Sequence, residues 1–345
     1  MTKEEFEKKL KEKKIWWCPL PWTHIFSSLS GRYAPCYDAL AKTGHNMEDT
    51  TIREWYNSDY QNRLRSEMLK EDYDGNFFDI HCTGCRKHEK LYGRSDRQKY
   101  VEQVLAGTFD NKVPQLLRAV LKFQKEGKID LDERLLDIKM KMFGNACNLD
   151  CYMCHPRSAN TRTISLNKVF KNTGKVFDPD LDPKDGARMN TLKHDEEQYL
   201  DDVASVAKYT KSIKLIGGEP LVMKNHYKLL DKLVQSGYSD GIGLIYKTNL
   251  SVFKMEGYDF RNYWGHFKEF IMKISIDSYG KYNDYIRKKS DWPQLINNMK
   301  VMKARKDCRV NVHSVVSFLS VMHIWKLQEF LKELGIDHTY YIIQF

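Results

Sequence analysis

After residue 130 the chain alternates between two periodicities, and this alternation limits its fold more than any other feature. Short β-rich runs stand at 135–144 (LLDIKMKMFG), 212–218 (SIKLIGG), 241–249 (GIGLIYKTN), 269–278 (EFIMKISIDS), 308–317 (CRVNVHSVVS) and 338–345 (HTYYIIQF). Between them, 227–237, 292–306 and 321–335 repeat apolar residues every third or fourth position, the helical pattern. Strands that alternate with helices pair in parallel through right-handed crossovers. The six strand candidates are fewer than the eight that close a TIM barrel. The expected fold is α/β: a partial, open (βα)6 TIM-like barrel over 131–345 that stops on its sixth strand. Residues 1–95 read as a small Cys-rich α+β domain, and 96–130 as a helical linker.

Sheets of this kind build their sites on the loops at the carboxyl ends of the strands. Four such ends carry Gly-rich or polar residues: GNACNLDCYMCHP (144–156), GGEP (217–220), Thr248–Asn249 and SIDS (275–278). Their convergence on one end of the sheet marks that end as the site.

The eight cysteines fall into groups. Cys147, Cys151 and Cys154 follow the first strand as C-x3-C-x2-C. Cys18 and Cys36, with Cys82 and Cys85, lie in the N-terminal segment, and Cys308 stands alone. There is no apolar signal segment after MTKEEFEKKLKEKK, and the longest apolar run, 315–325, is too short to cross a bilayer. A cytoplasmic chain without a membrane span is expected. In that compartment grouped cysteines argue for metal or redox chemistry rather than disulfides. Thiolates are soft ligands for zinc, copper(I) and iron–sulfur clusters. A closed zinc site takes four ligands; three cysteines suit a [4Fe–4S] cluster with one iron left open. His155 adjoins Cys154 too closely to serve as a fourth ligand easily.

This cysteine run after a strand, with Asn145, Asn148 and Leu149 inside it and GGEP at the next strand end, resembles the radical S-adenosylmethionine (radical SAM) enzymes over roughly 132–345. The resemblance implies a [4Fe–4S] cluster on Cys147, Cys151 and Cys154, with the amino and carboxylate groups of S-adenosylmethionine on its open iron. Reduction would split the cofactor to a 5′-deoxyadenosyl radical, which abstracts a substrate hydrogen. Gly217, Gly218, Glu219 and Pro220 would line the methionine amino end. Ser275 and Asp277 would contact the ribose, with Asn249 a further candidate; Tyr152 would lie near adenine and Arg287 near the cofactor carboxylate. Simpler roles stay open: Asp277 as a helix cap, Arg287 as a surface ion-pair residue.

Cys18, Cys36, Cys82 and Cys85 resemble the SPASM auxiliary-cluster extension in its one-cluster twitch form, here preceding the barrel instead of following it. The resemblance implies a second, auxiliary [4Fe–4S] cluster, although four cysteines with a C-x2-C knuckle also make an ordinary zinc site. It further implies a peptide or protein substrate and an electron donor such as flavodoxin or ferredoxin. His24, His81 and His88 read as polar packing, and Cys308 as an ordinary cysteine. The insertion 158–197 is either a substrate-facing loop or poorly ordered surface.

The competing reading is a zinc protein with two cysteine sites that binds nucleic acid through its net charge of +10. Without an Arg-rich tract or a basic run interleaved with aromatics, a solvated basic surface explains that charge more simply.

Overall fold

The structure is a computed structural model that describes residues 2–28, 31–37, 39, 43–141, 144–173 and 196–342. The chain divides into two compact units, residues 1–139 with 205–212, and residues 140–204 with 213–345.

In the first unit α1 (Lys3–Lys11) starts at Thr2, whose hydroxyl and the Glu5 carboxylate form a reciprocal capping box. It buries Phe6 edge-on to Trp17, ring centroids 5.1 Å apart. Between Cys18 and Cys36, β1 (His24–Ser27) pairs antiparallel with β2 (Tyr33–Ala34). The helical stretch that follows is broken into two, α2 (Ile52–Tyr56) and α3 (Asp59–Met68). The break falls at Ser58, which is extended and turns its hydroxyl onto the Gln61 N–H. A serine able to cap competes with helix continuation, and here the cap wins.

Next come α4 (Gly75–His81), α5 (Thr83–Tyr92), α6 (Asp96–Leu105) and α7 (Val113–Glu126), followed by β3 (Leu136–Met140). Residues 96–130, expected as a linker, therefore belong to the first unit's body. Arg97 on α6 grips Glu89 on α5 with two hydrogen bonds of 2.8 and 3.0 Å, and Phe123 on α7 meets Trp22 edge-on. Amphipathic periodicity shows that a helix buries a face; it does not show against what.

The second unit opens with the cysteine loop, which contains the short strand β4 (Asp150–Cys151) and runs into α8 (Asn160–Thr173). Of the insertion at 158–197, residues 174–195 lie outside the described residues. The expected α/β alternation then appears as β5 (Thr210–Leu215), α9 (Lys224–Gln235), β6 (Gly243–Thr248) and β7 (Glu269–Ser275). It continues through α10 (Lys281–Ile286), β8 (Arg287–Lys288), α11 (Trp292–Lys303), β9 (Cys308–Val316), α12 (Ile324–Glu333) and β10 (Asp337–Ile342).

Strand order is β10-β9-β7-β6-β5, and the β6–β7, β7–β9 and β9–β10 pairs are all parallel. Leu244, Tyr246, Phe270, Met272, Ile274 and Val312 are buried on one face; between them Ile245, Lys247, Ile271 and Lys273 point the other way. Among the described residues no helix is long and apolar enough to cross a membrane.

Candidate functional site

The cysteine loop is held in place from three directions. From α8, Asn160 Oδ1 accepts the Cys147 N–H at 3.1 Å, and Thr161 donates to the Leu149 carbonyl. Ser165 donates to Asp150 at 2.5 Å. From beyond β7, β8 pairs antiparallel with β4 and sets Arg287 opposite Cys151. From the loop after β5, the Glu219 N–H reaches the Ala146 carbonyl at 2.8 Å.

That last contact explains the glycines of GGEP. Gly217 and Gly218 both have positive φ, +104° and +38°. A Cβ on Gly218 would stand 2.1 Å from the Ala146 carbonyl oxygen. Only glycine lets this loop pass so close beneath the cysteine loop.

Glu219 is buried, and its carboxylate accepts from Thr248 Oγ1 at 2.7 Å, the Asn249 N–H at 2.5 Å and the Leu221 N–H at 3.2 Å. It ties the loop after β5 to the loop after β6. Asn249 then carries the link to the cysteines: its amide donates to Asn148 Oδ1 at 2.9 Å and lies 4.0 Å from Cys147 Sγ. Ser251 closes the network, accepting from Asn148 at 2.7 Å and donating to Asn249 at 2.6 Å. Pro220 is buried at the start of a short 3-10 turn.

Burial pushes the Glu219 carboxyl up to about 7, against its three hydrogen bonds, which pull it down. Between its ordinary value of 4.5 and about 7 the folded chain therefore holds more proton than the unfolded one. This contribution to stability is complete below the unfolded value and is lost as pH rises through the folded value. Urea denaturation of the iron-free chain should show stability falling between about pH 4.5 and about pH 7. The fall should be shallower in Glu219→Gln; an equal slope in that variant would rule Glu219 out as its source.

Arg287 joins the remaining pieces. It is nearly buried, ion-paired through Nε with Asp277 Oδ2 at 2.7 Å, and its Nη1 lies 3.9 Å from Cys151 Sγ. Burial works against its charge, but Asp277, Cys151 and Cys154 outweigh it and hold Arg287 protonated. Asp277 also accepts the Val315 N–H at 2.8 Å, while Asn283 Oδ1 accepts its own N–H. It spans the ends of β7 and β9 and is no simple helix cap. Asp277→Ala would strand a buried guanidinium, and a loss of about 3–5 kcal/mol is expected in chemical denaturation. A loss under about 1 kcal/mol would mean that the pair is not held as described.

Tyr152 is half exposed at the rim, its ring 5.5 Å from that of Tyr285, with Arg162 above it at 5.7 Å. Ser275 ends β7 in register with His313. Cys151 donates to Cys154, which raises the former thiol and lowers the latter; burial pushes Cys147 up to about 11.

In the first unit, Cys18, Cys36, Cys82 and Cys85 all line one small cavity of about 30 Å³, with Arg97 and Tyr100 in its wall. Cys82 sits at the junction of α4 and α5, and Cys85 in the first turn of α5. Arg97 is fixed by Glu89 and by the Trp17 carbonyl at 3.0 Å, and covers the Trp16 ring at 4.4 Å. Arg65 is fully buried and donates to the carbonyls of Pro21 and Tyr56, pinning the segment just after Cys18. His81 packs on Phe77 and Tyr60, and His88 on Tyr92. Among the described residues no three His, Cys, Asp or Glu side chains stand close enough to share a single metal ion.

Residues 142–334 match the family model described as the Radical SAM superfamily, more than half of the chain. The chain belongs to the radical SAM superfamily. No curated protein matches it. Solved structures of Streptococcus suis SuiB are similar at low identity. The form bound to S-adenosylmethionine is 13% identical with a TM-score of 0.43, covering 78% of this chain and 55% of that one. A further SuiB structure is 14% identical with a TM-score of 0.42, covering 84% and 56%. The form bound to precursor peptide SuiA is 14% identical with a TM-score of 0.40, covering 68% and 45%. The chain thus spans about half the length of these structures.

A radical SAM site needs three thiols on one loop beside a Gly-rich neighbour, and this donor set fits a [4Fe–4S] cluster with S-adenosylmethionine. Two groups of predicted residues come together: Cys147 with Asn249 and Glu219, and Cys151 with Arg287 and Asp277. The polar row of Asn160, Thr161 and Ser165 escaped the sequence reading. Its only trace was a run of short polar residues six places beyond Cys154, which resembles any helix start.

Proposed function

We propose that this radical SAM chain is an oxidoreductase or maturase that cleaves S-adenosylmethionine reductively to a 5′-deoxyadenosyl radical, which takes hydrogen from a peptide or protein side chain. The observation that carries the reading is the continuous hydrogen-bonded link Cys147–Asn249–Glu219, which joins three strand-end loops around one cysteine run. Cys147, Cys151 and Cys154 would hold the cluster, which supplies the electron when reduced.

The Gly217–Gly218 backbone would face the methionine ammonium. Glu219, with its carboxylate committed to Thr248, Asn249 and Leu221, holds that backbone in shape. Asn249, Ser275 and Asp277 would line the ribose side, and Tyr152 would offer its ring to adenine. Arg287 keeps positive charge beside Cys151, whose sulfur would be a thiolate when it holds the cluster, and near the cofactor carboxylate.

Cys18, Cys36, Cys82 and Cys85 would hold a second, auxiliary [4Fe–4S] cluster in a twitch-like unit. That all four cysteines line one pocket supports this reading, and the iron, sulfide and zinc content of the reconstituted chain separates it from a zinc site. Flavodoxin or ferredoxin would supply the electrons.

Anaerobic reconstitution tests the reading. About eight iron and eight sulfide per chain, with 5′-deoxyadenosine formed after reduction in the presence of S-adenosylmethionine, is the expected result. Two zinc ions and no nucleoside would overturn it.

A further inference from the structure

One face of the second unit's sheet carries positive charge that the cysteine site leaves unused. In register, Lys247 on β6 stands beside Lys273 on β7, and Lys273 beside Asn311 on β9. Two residues further along, Ser275 stands beside His313. Because side chains alternate along a strand, these residues share the face opposite the buried one. That face opens on a cavity of about 710 Å³ whose wall includes Ile245, Ile271, Lys273, Asn311, His313 and Tyr341.

Among the described residues neither Lys247 nor Lys273 has a carboxylate within ion-pairing distance. The carboxylate in the cavity wall, Asp337, lies on β10 beside Asn311, whose amide is 3.5 Å from it. Arg309 in the wall is paired with Glu269 at 2.5 Å. The lysines repel one another instead: burial lowers both, and Lys273 and Lys141 lower Lys247 further. His313 is lowered to about 4, first by burial and then by Lys273, Lys247 and Lys214.

Like charges directly opposite one another on paired strands destabilise a sheet. Among the described residues, the cavity wall holds Lys273, Lys303 and Arg309 against the one carboxylate of Asp337, so its net charge is positive and attracts mobile anions. The Lys247–Lys273 row therefore has a reason to persist if an anion spans it. Its charges sit on separate strands about 4.8 Å apart, as point charges without an Arg fork. Such spacing suits carboxylates spread along a chain better than one compact phosphate.

We propose that this face binds the acidic segment of a peptide substrate, with carboxylates across Lys247 and Lys273 and the remainder of the peptide running toward Ser275. The use of this site for substrate rests on the function proposed above. Lys273 lies two residues, about 6.6 Å of strand, below Ser275. An anchored peptide would thus present a residue near its acidic segment to the strand-end loops.

Titration calorimetry on the full iron-free chain tests the site directly, with triglutamate, triglutamine and inorganic phosphate as probes. Triglutamate should bind and weaken with added salt, and triglutamine should not bind. Lys247→Gln with Lys273→Gln should weaken triglutamate at least tenfold, and the paired Lys→Arg changes should retain it within about threefold. If the double Gln variant does not fold by circular dichroism, Lys273→Gln alone should weaken binding at least threefold. Equal binding of triglutamine, undiminished binding in the Gln variants, or phosphate binding tighter than triglutamate would overturn the proposal. Since these titrations use neither iron nor S-adenosylmethionine, a failure of the radical chemistry would appear in the reconstitution assay and not here.

Discussion

Cys147→Ala is expected to lower reconstituted iron from about eight to about four per chain and to reduce 5′-deoxyadenosine to background. The expected result follows from the geometry around this sulfur. Cys147 is the cysteine that the Asn249 amide approaches, and its own N–H is fixed by Asn160. Two thiols would remain on the loop, already engaged with each other through the Cys151–Cys154 hydrogen bond. Cys82→Ala should also remove about four iron, but from the first unit's cavity. Comparing the two variants by electron paramagnetic resonance with and without S-adenosylmethionine assigns each signal. A SAM-induced change that survived Cys147→Ala would overturn the assignment of the cofactor site.

Gly218→Ala should be nearly as damaging without touching any ligand. The added methyl meets the Ala146 carbonyl oxygen at 2.1 Å and the Met223 methyl at 2.6 Å, at a backbone φ of +38°. The methionine end can swing away; the carbonyl cannot move without dragging the residue next to Cys147. Overpacking and left-handed strain together should cost about 3 kcal/mol or more. Denaturation of the iron-free variant reads that cost, and cluster loading of the second unit should fall with it. Wild-type stability in this variant would mean that the two loops do not approach as described.

Much of this arrangement was legible in the sequence because it follows from local rules. The six strand candidates lie within a few residues of the strands, since period-two runs bounded by Gly and polar residues have few other conformations available. The cysteine spacing pointed to the loop for a similar reason. What escaped was pairing between distant segments. Arg287 opposite Cys151 is a contact across 136 positions, set by the short β4–β8 ladder, and no periodicity announces a two-residue strand. The commitment of the Glu219 carboxylate to the loop after β6 was hidden for the same reason: a carboxylate after two glycines reads equally well as a ligand to an ammonium or as a brace. The Lys247–Lys273 row needed the register. In sequence these residues are the polar members of two separate alternating strands and look like ordinary solvent-facing lysines.

The bracing of the cysteine loop has a consequence for how the chain acquires metal. Zinc fingers are unfolded until the ion arrives, so the ion must meet the entropy of closing the whole turn. Here α8, the β4–β8 ladder and the Gly217–Gly218 passage have already fixed the loop's path. Much of the loop's ordering is therefore supplied by the chain's own hydrogen bonds, and correspondingly less of it falls to the metal centre.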